Sequence, residues 1–142
     1  MKALLLVDDN DRYAAIMKEY FEEQGYTVDR AETAAEGLEM FRAHDPAHYP
    51  IVVTDVTMES QLAGISMLRK MRRRGYPGKI IIASTGFDVF GVIGLTRLLL
   101  RGLRIAYLIP KTTILARNFA FYPMSFFSRA QRNFVESGEE KQ

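Results

Sequence analysis

Acidic side chains fall directly after two apolar runs of this 142-residue chain: Asp8 and Asp9 after residues 3–7, and Asp55 after residues 51–54. The hydroxyls Ser84 and Thr85 follow a third run, and Lys111 follows a fourth. Brought to one place, three carboxylates oppose one another's ionisation, so a divalent cation or protons must compensate them. All-oxygen ligation favours Mg2+ or a similarly hard ion, which takes a few protein ligands and keeps water and phosphate oxygens. Asp55 then has two compatible roles: a third metal ligand, or a carboxylate nucleophile that attacks an in-line phosphoryl donor. Thr85 and Lys111 are the hydroxyl and the cation suited to hold the phosphoryl oxygens. Taken singly, each has a plainer reading, since an aspartate after a strand commonly caps a helix and Thr85 before Gly86 makes a turn. Their joint placement points to a site.

The elements that must position these residues are legible from periodicity. Residues 2–7 are too few for a helix and read as a strand buried on both faces. From Asp11 the pattern Ala15, Ile16, Tyr20, Phe21 runs at helical spacing until Gly25, which suits a left-handed cap. A weaker strand covers 26–31. Thr33 and Glu36 make a capping box that opens a helix turning Leu38 and Phe41 inward, and Pro46 closes that unit. The β-branched Ile51, Val52 and Val53 require a central strand that delivers Asp55. A helix from about Ile65 to Arg74 turns Ile65, Leu68 and Met71 to the core, is coated by Arg69, Lys70, Arg72, Arg73 and Arg74, and stops at Gly75. Residues 79–83 make a fourth strand, a fourth helix runs from about Asp88 to Arg101, and 104–109 make a fifth strand.

Strands alternating with helices predict a doubly wound α/β fold, a parallel sheet with helices on both faces. Ligands in such sheets gather beyond the carboxyl ends of the strands, where Asp8, Asp9, Asp55, Thr85 and Lys111 all fall. Beyond the fifth strand, Thr112 or Thr113 opens a helix that Pro123 must kink or end, followed by Phe126, Phe127, Ala130 and Phe134 at helical spacing. Residues 87–103 are apolar all round, so they need cover from that extension or from a partner.

Length predicts one domain. We expect it over 1–122, with a helical extension over 123–137 and a disordered tail over 138–142. No stretch approaches the apolar length of a membrane span, and the absence of cysteine fits a reducing compartment, so the expected location is the cytoplasm. The net charge of +2 conceals an asymmetry: residues 1–60 hold 5 Lys/Arg and 13 Asp/Glu, a net −8, and residues 61–142 hold 14 and 4, a net +10. The cluster Arg69 to Arg74 lacks interleaved aromatics or a recognition motif, so it reads as a solvated helix face rather than a nucleic-acid surface. His44 and His48 flank Pro46 in a loop and are assigned no role; Gly91 and Gly94 are packing or bending positions.

The segments LLLVDDN (4–10), VVTDVTM (52–58), IIASTGF (81–87) and AYLIPK (106–111) resemble the ordered landmarks of response-regulator receiver domains over about residues 1–115. The resemblance implies a flavodoxin-like five-stranded sheet of order 2-1-3-4-5, with a Pro-interrupted helical extension. It implies Asp55 as phosphoacceptor, Asp8 and Asp9 as the acidic pair for Mg2+, Thr57 as donor of a backbone carbonyl to the metal, Thr85 as switch hydroxyl and Tyr107 as switch aromatic. It also implies a regulatory phosphoacceptor rather than an enzyme. The expected partners are a histidine kinase or phosphotransfer protein, and a downstream protein or second copy on the fourth and fifth helices. The chain departs from the family pattern in reading Pro110 then Lys111 where Lys then Pro is usual, which displaces the lysine by one position, and in Glu59 and Ala63 beside the phosphoacceptor loop. A one-residue shift along a strand turns a side chain to the opposite face. The alternative these departures suggest is a receiver-like binding module that works without phosphorylation.

Overall fold

The apolar run near the N-terminus forms strand β1 (Lys2–Val7), in which Leu4, Leu5 and Leu6 are fully buried. The computed structural model describes residues 2–55, 61–84, 103–119 and 121–123. After β1 come α1 (Asp11–Glu23), β2 (Tyr26–Ala31), α2 (Ala34–Arg42), β3 (Ile51–Asp55), α3 (Gln61–Arg73), β4 (Lys79–Ser84), β5 (Ile105–Pro110), a 3-10 helix (Lys111–Ala116) and β6 (Tyr122–Pro123). Five strands pair in parallel in the expected order β2-β1-β3-β4-β5. The two-residue β6 adds an antiparallel edge, with Tyr107 opposite Pro123 and Leu108 opposite Tyr122.

Alternation along the strands builds two cores, one on each face of the sheet. Leu5, Val7, Val52, Ile80 and Ile82 meet Leu38 and Phe41 of α2 and Ile65, Leu68 and Met71 of α3. Leu4, Leu6, Val53, Ile81 and Ala83 meet Ala14, Met17 and Phe21 of α1. Each such fully buried aliphatic side chain contributes about 1.5–3 kcal/mol relative to exposure, so the sheet is fixed from both sides. Among the described residues, no helix is long and apolar enough to cross a membrane.

Several local readings are refined. The buried face of α1 is centred on Ala14, Met17 and Phe21, while Ala15 is exposed. The helix begins at Asn10, whose side chain accepts from the amides of Arg12 and Tyr13. In α2 the Thr33 hydroxyl accepts from the Glu36 amide as the capping box requires, and the Glu36 carboxylate returns to the amide of Glu32, one residue before the cap. The third helix starts at Gln61, earlier than the apolar spacing alone implied. Its Arg72 does not coat the surface: the guanidinium donates to the carbonyls of Leu103, Arg104, Tyr76 and Gly78 at 2.8–3.0 Å.

The segment after β5 differs most from expectation. In place of an α-helix opening at Thr112 or Thr113, the backbone forms a 3-10 helix from Lys111. Three residues per turn put Lys111 and Ile114 on the same side, and both are buried, which serves a segment whose first residue must stay in the site. Arg117, at φ 58°, then turns the chain back. Phe119 and Phe121 thereby reach the core beside α1, where Phe119 stacks on Tyr20 at 4.2 Å. The boundary expected at 122/123 falls within β6. Thr57, Thr85, the helix expected over 88–101, Gly91 and Gly94, the aromatic spacing from Phe126 to Phe134 and the tail from Gly138 lie outside the described residues.

Candidate functional site

Strands β1 and β3 lie side by side, with Val7 in register with Thr54, so the acids that follow them meet at one edge of the sheet. Carboxylate oxygens of Asp8, Asp9 and Asp55 lie within 4.8 Å of one another. Asp8 and Asp55 are buried, whereas Asp9 stands exposed at the lip. A cleft of about 200 Å³ opens beside them, lined by Thr33 and Ala34 at the start of α2 and by Ala63 and Gly64 in the first turn of α3. The small residues at positions 63 and 64 leave that wall low.

Lys111 is brought into the cluster despite its displaced position. The ammonium lies 3.0 Å from Asp8 Oδ2 and 3.3 Å from Asp55 Oδ1, and only 2% of its side-chain surface is exposed. The strand that leads to it, β5, changes register on the way. Between β4 and β5 the ladder steps from Ile80 opposite Ile105 to Ile81 opposite Tyr107, so Ala106 is an extra residue in β5. A bulge of this kind exchanges the two faces of a strand beyond it. Ile105 accordingly belongs to the core beside α2 and α3, and Tyr107 and Ile109 to the core beside α1. The 3-10 turn that starts at Lys111 carries its side chain to the acids, and no cis peptide occurs among the described residues.

The electrostatics centre on Asp55. Its contact with Lys111 lies off the hydrogen-bonding direction, and among the described residues Asp55 Oδ1 accepts no hydrogen bond. Burial, reinforced by the Asp8 charge and partly opposed by Lys111, pushes the Asp55 carboxyl up to about 6. An oxygen-only trio with an unsatisfied buried carboxylate oxygen fits a hard divalent cation, with Asp8, Asp9 and Asp55 as the residues to hold it.

Three supporting groups were not singled out from sequence. The Tyr13 ring lies under the Lys111 ammonium, 4.2 Å from centroid to Nζ. Asn10 donates its amide to Asp8 Oδ1 at 2.9 Å while capping α1. Arg30, near the end of β2, donates through Nε and Nη2 to the Asp8 carbonyl at 3.0 and 2.8 Å, and through Nη1 to Asp11 Oδ1 at 2.8 Å. An asparagine before a helical pattern was a visible cap signal; nothing in spacing marks Arg30 or Tyr13. Tyr107 lies with its ring edge-on to Phe121, centroids 5.9 Å apart.

Residues 4–93 match the sequence profile of the response regulator receiver domain. The chemotaxis protein CheY of Halobacterium salinarum is 35% identical over 57 residues, which cover 40% of this chain and 45% of that protein, less than half its length. Among solved structures, a response regulator receiver domain protein from Clostridium thermocellum shares the fold with a TM-score of 0.62 at 20% identity, covering 82% of this chain and 96% of that one. The Francisella response regulator 1452 receiver domain gives 0.61 at 21% identity, covering 82% and 98%. Response regulator protein TrrA of Thermotoga maritima, solved in complex with Mg2+ and BeF, gives 0.54 at 24% identity, covering 71% and 98%.

Proposed function

Because this chain belongs to the response regulator receiver domain family, we propose that it is a phosphorylation-dependent switch of a two-component phosphorelay, with Asp55 as phosphoacceptor. The observation that carries this reading is the Asp55 carboxylate, buried beside Asp8 and Lys111 with one oxygen free of hydrogen bonds and a cleft in front of it. In the proposed step an Asp55 oxygen forms a bond to phosphorus as the donor's bond to phosphorus breaks. The donor leaves with that electron pair, and the product is an acyl phosphate on Asp55.

Asp8, Asp9 and Asp55 would hold Mg2+, which neutralises charge on the transferred oxygens, with the Thr57 backbone carbonyl as a further ligand by family resemblance. Lys111 stands 3.3 Å from Asp55 Oδ1, where its ammonium would pair with the incoming group. Thr85 is the switch hydroxyl and Tyr107 the switch aromatic in the same reading. The donor is a histidine kinase or a phosphotransfer protein. Output runs through a protein contact with a downstream partner or a second copy at the fourth and fifth helices. The regulatory role, rather than turnover of a substrate, is the chain's activity.

The test is intact-protein mass after incubation with acetyl phosphate, with and without Mg2+. A Mg2+-dependent adduct of one phosphoryl group that is lost in Asp55→Asn is the expected result. A folded wild type that takes no phosphoryl group from acetyl phosphate or from a second small donor would overturn the proposal.

A further inference from the structure

We propose that Arg30 is a positioning residue for the acidic turn, and that it favours divalent-cation binding in spite of its own positive charge. The inference rests on the reading that Asp8, Asp9 and Asp55 hold Mg2+. Arg30 lies opposite Leu6 in the β1–β2 ladder, two residues short of the level of Asp8, and its side chain runs along the sheet to the turn. There a single guanidinium closes both ends of the segment from Asp8 to Asp11. Two of its nitrogens donate to the Asp8 carbonyl oxygen, and the third donates to the Asp11 carboxylate.

A planar guanidinium offers its donors in fixed directions, so a two-nitrogen contact with one carbonyl oxygen orients the peptide plane that carries it. That plane is the link between Asp8 and Asp9. Asp8 is secured independently: its amide donates to the Ala31 carbonyl at 3.0 Å, and its carboxylate accepts from Asn10 and Lys111. Asp9 is exposed, and the direction in which its side chain leaves the backbone follows from the peptide plane that Arg30 holds. Arg30 thus acts on the cation site through Asp9.

Charge and geometry predict opposite signs, which makes the inference decidable. By Coulomb's law alone, removing a guanidinium next to a cation site tightens cation binding. If Arg30 positions the turn, its removal weakens binding by about tenfold or more, the size found when outer-shell partners of metal ligands are lost. We expect Arg30→Met to raise the Mg2+ dissociation constant by about tenfold, measured by calorimetric titration of the full chain at constant ionic strength. Arg30→Lys, which keeps the charge and one donor, should recover part of the loss, and Asp11→Asn should change it less than threefold or so because the contact with the Asp8 carbonyl survives. Without metal, the amide resonances of Asp9 and Asn10 should shift or broaden in Arg30→Met while those of Ile81 in β4 stay in place. Mg2+ binding by Arg30→Met that equals or exceeds wild type would overturn the inference. If wild type itself binds no Mg2+, the reading of the site fails, and the metal-free amide resonances still decide whether Arg30 sets the turn: unchanged Asp9 and Asn10 signals refute it.

Discussion

The Lys111 ammonium is held between the Asp8 carboxylate, 3.0 Å away, and the face of the Tyr13 ring, 4.2 Å from its centroid. A lysine this buried is retained only when its charge is compensated, and here two carboxylates and an aromatic face share the task. The group that makes the acidic cluster tolerable without metal therefore comes from the position where the sequence departs from the family's usual order.

Lys111→Met should destabilise the metal-free protein by about 3–5 kcal/mol, because it leaves Asp8 and Asp55 buried without their cation. Added Mg2+ should restore part of that loss. Urea denaturation with and without Mg2+ checks both statements; a variant as stable as wild type in chelator would show that Lys111 compensates nothing. In the same assay Tyr13→Phe should be nearly neutral, and Tyr13→Leu should cost about 1–2 kcal/mol by removing the ring from the ammonium.

The route by which Lys111 reaches the site marks the limit of what the sequence discloses. A one-residue shift along a strand counted against Lys111, but the chain leaves the strand after Pro110 for a 3-10 helix, and neither that nor the extra residue at Ala106 leaves a trace in composition or periodicity. The acids were legible since each follows a run too apolar and too short to be anything but a buried strand, and parallel pairing then forces them together. Arg30 and Arg72 were not legible. Both are cations whose partners are backbone carbonyls, and one of the segments that Arg72 holds lies thirty or so residues away in sequence. The 3-10 helix and β6 also escaped: Thr112 or Thr113 offers a helix cap and the later aromatics fall at helical spacing, whereas the chain after Pro110 forms a 3-10 turn that keeps Lys111 and Ile114 buried.

Arg72 ties the end of α3 and the start of β4 to the chain entering β5 through four carbonyls, with its guanidinium 5.3 Å from the centre of the Tyr76 ring. Arg72→Met should cost about 2–4 kcal/mol, since three part-buried carbonyls and an exposed one lose a charged donor together. Mg2+ affinity should stay within about twofold, because the clamp stands at the opposite ends of the strands from the acids. Chemical denaturation and calorimetric titration of the same variant check the pair of outcomes. A large loss of affinity with little loss of stability would reverse the assignment.

Gly37 lies within α2, where alanine ordinarily adds up to about 1 kcal/mol of helix stability. Here a Cβ would come 2.8 Å from Val7 Cγ2 and 3.1 Å from Met67 Sδ, so packing between α2, β1 and α3 opposes the substitution. Val7 immediately precedes Asp8 and is itself buried, which leaves it little room to move. Gly37→Ala should therefore destabilise by about 1–3 kcal/mol, the range of overpacked cores. Thermal unfolding checks the sign: a stabilised variant would mean that α2 shifts freely on the sheet.

Asp55 should add a pH dependence to the stability of the metal-free protein. Its carboxyl is pushed up to about 6 from an ordinary 3.8, by burial first and by the Asp8 charge second. Between those two values the folded chain binds more protons at this position than the unfolded chain, so the contribution of Asp55 to stability falls as pH rises. The contribution is fully present below about 4 and lost above about 6. Two pH units correspond to roughly 3 kcal/mol, and coupling to Asp8 and Lys111 places the realised effect at about 1–3 kcal/mol. Asp55→Asn, which carries no charge at any pH, should remove this slope and be more stable than wild type at pH 7 in chelator. Mg2+ should reverse the comparison, because it stabilises the ionised wild-type site and has less to bind in the variant. Urea unfolding of both proteins from pH 4 to pH 8, in chelator and in Mg2+, checks each limb. An unchanged slope in Asp55→Asn would assign the titration to another carboxylate of the cluster.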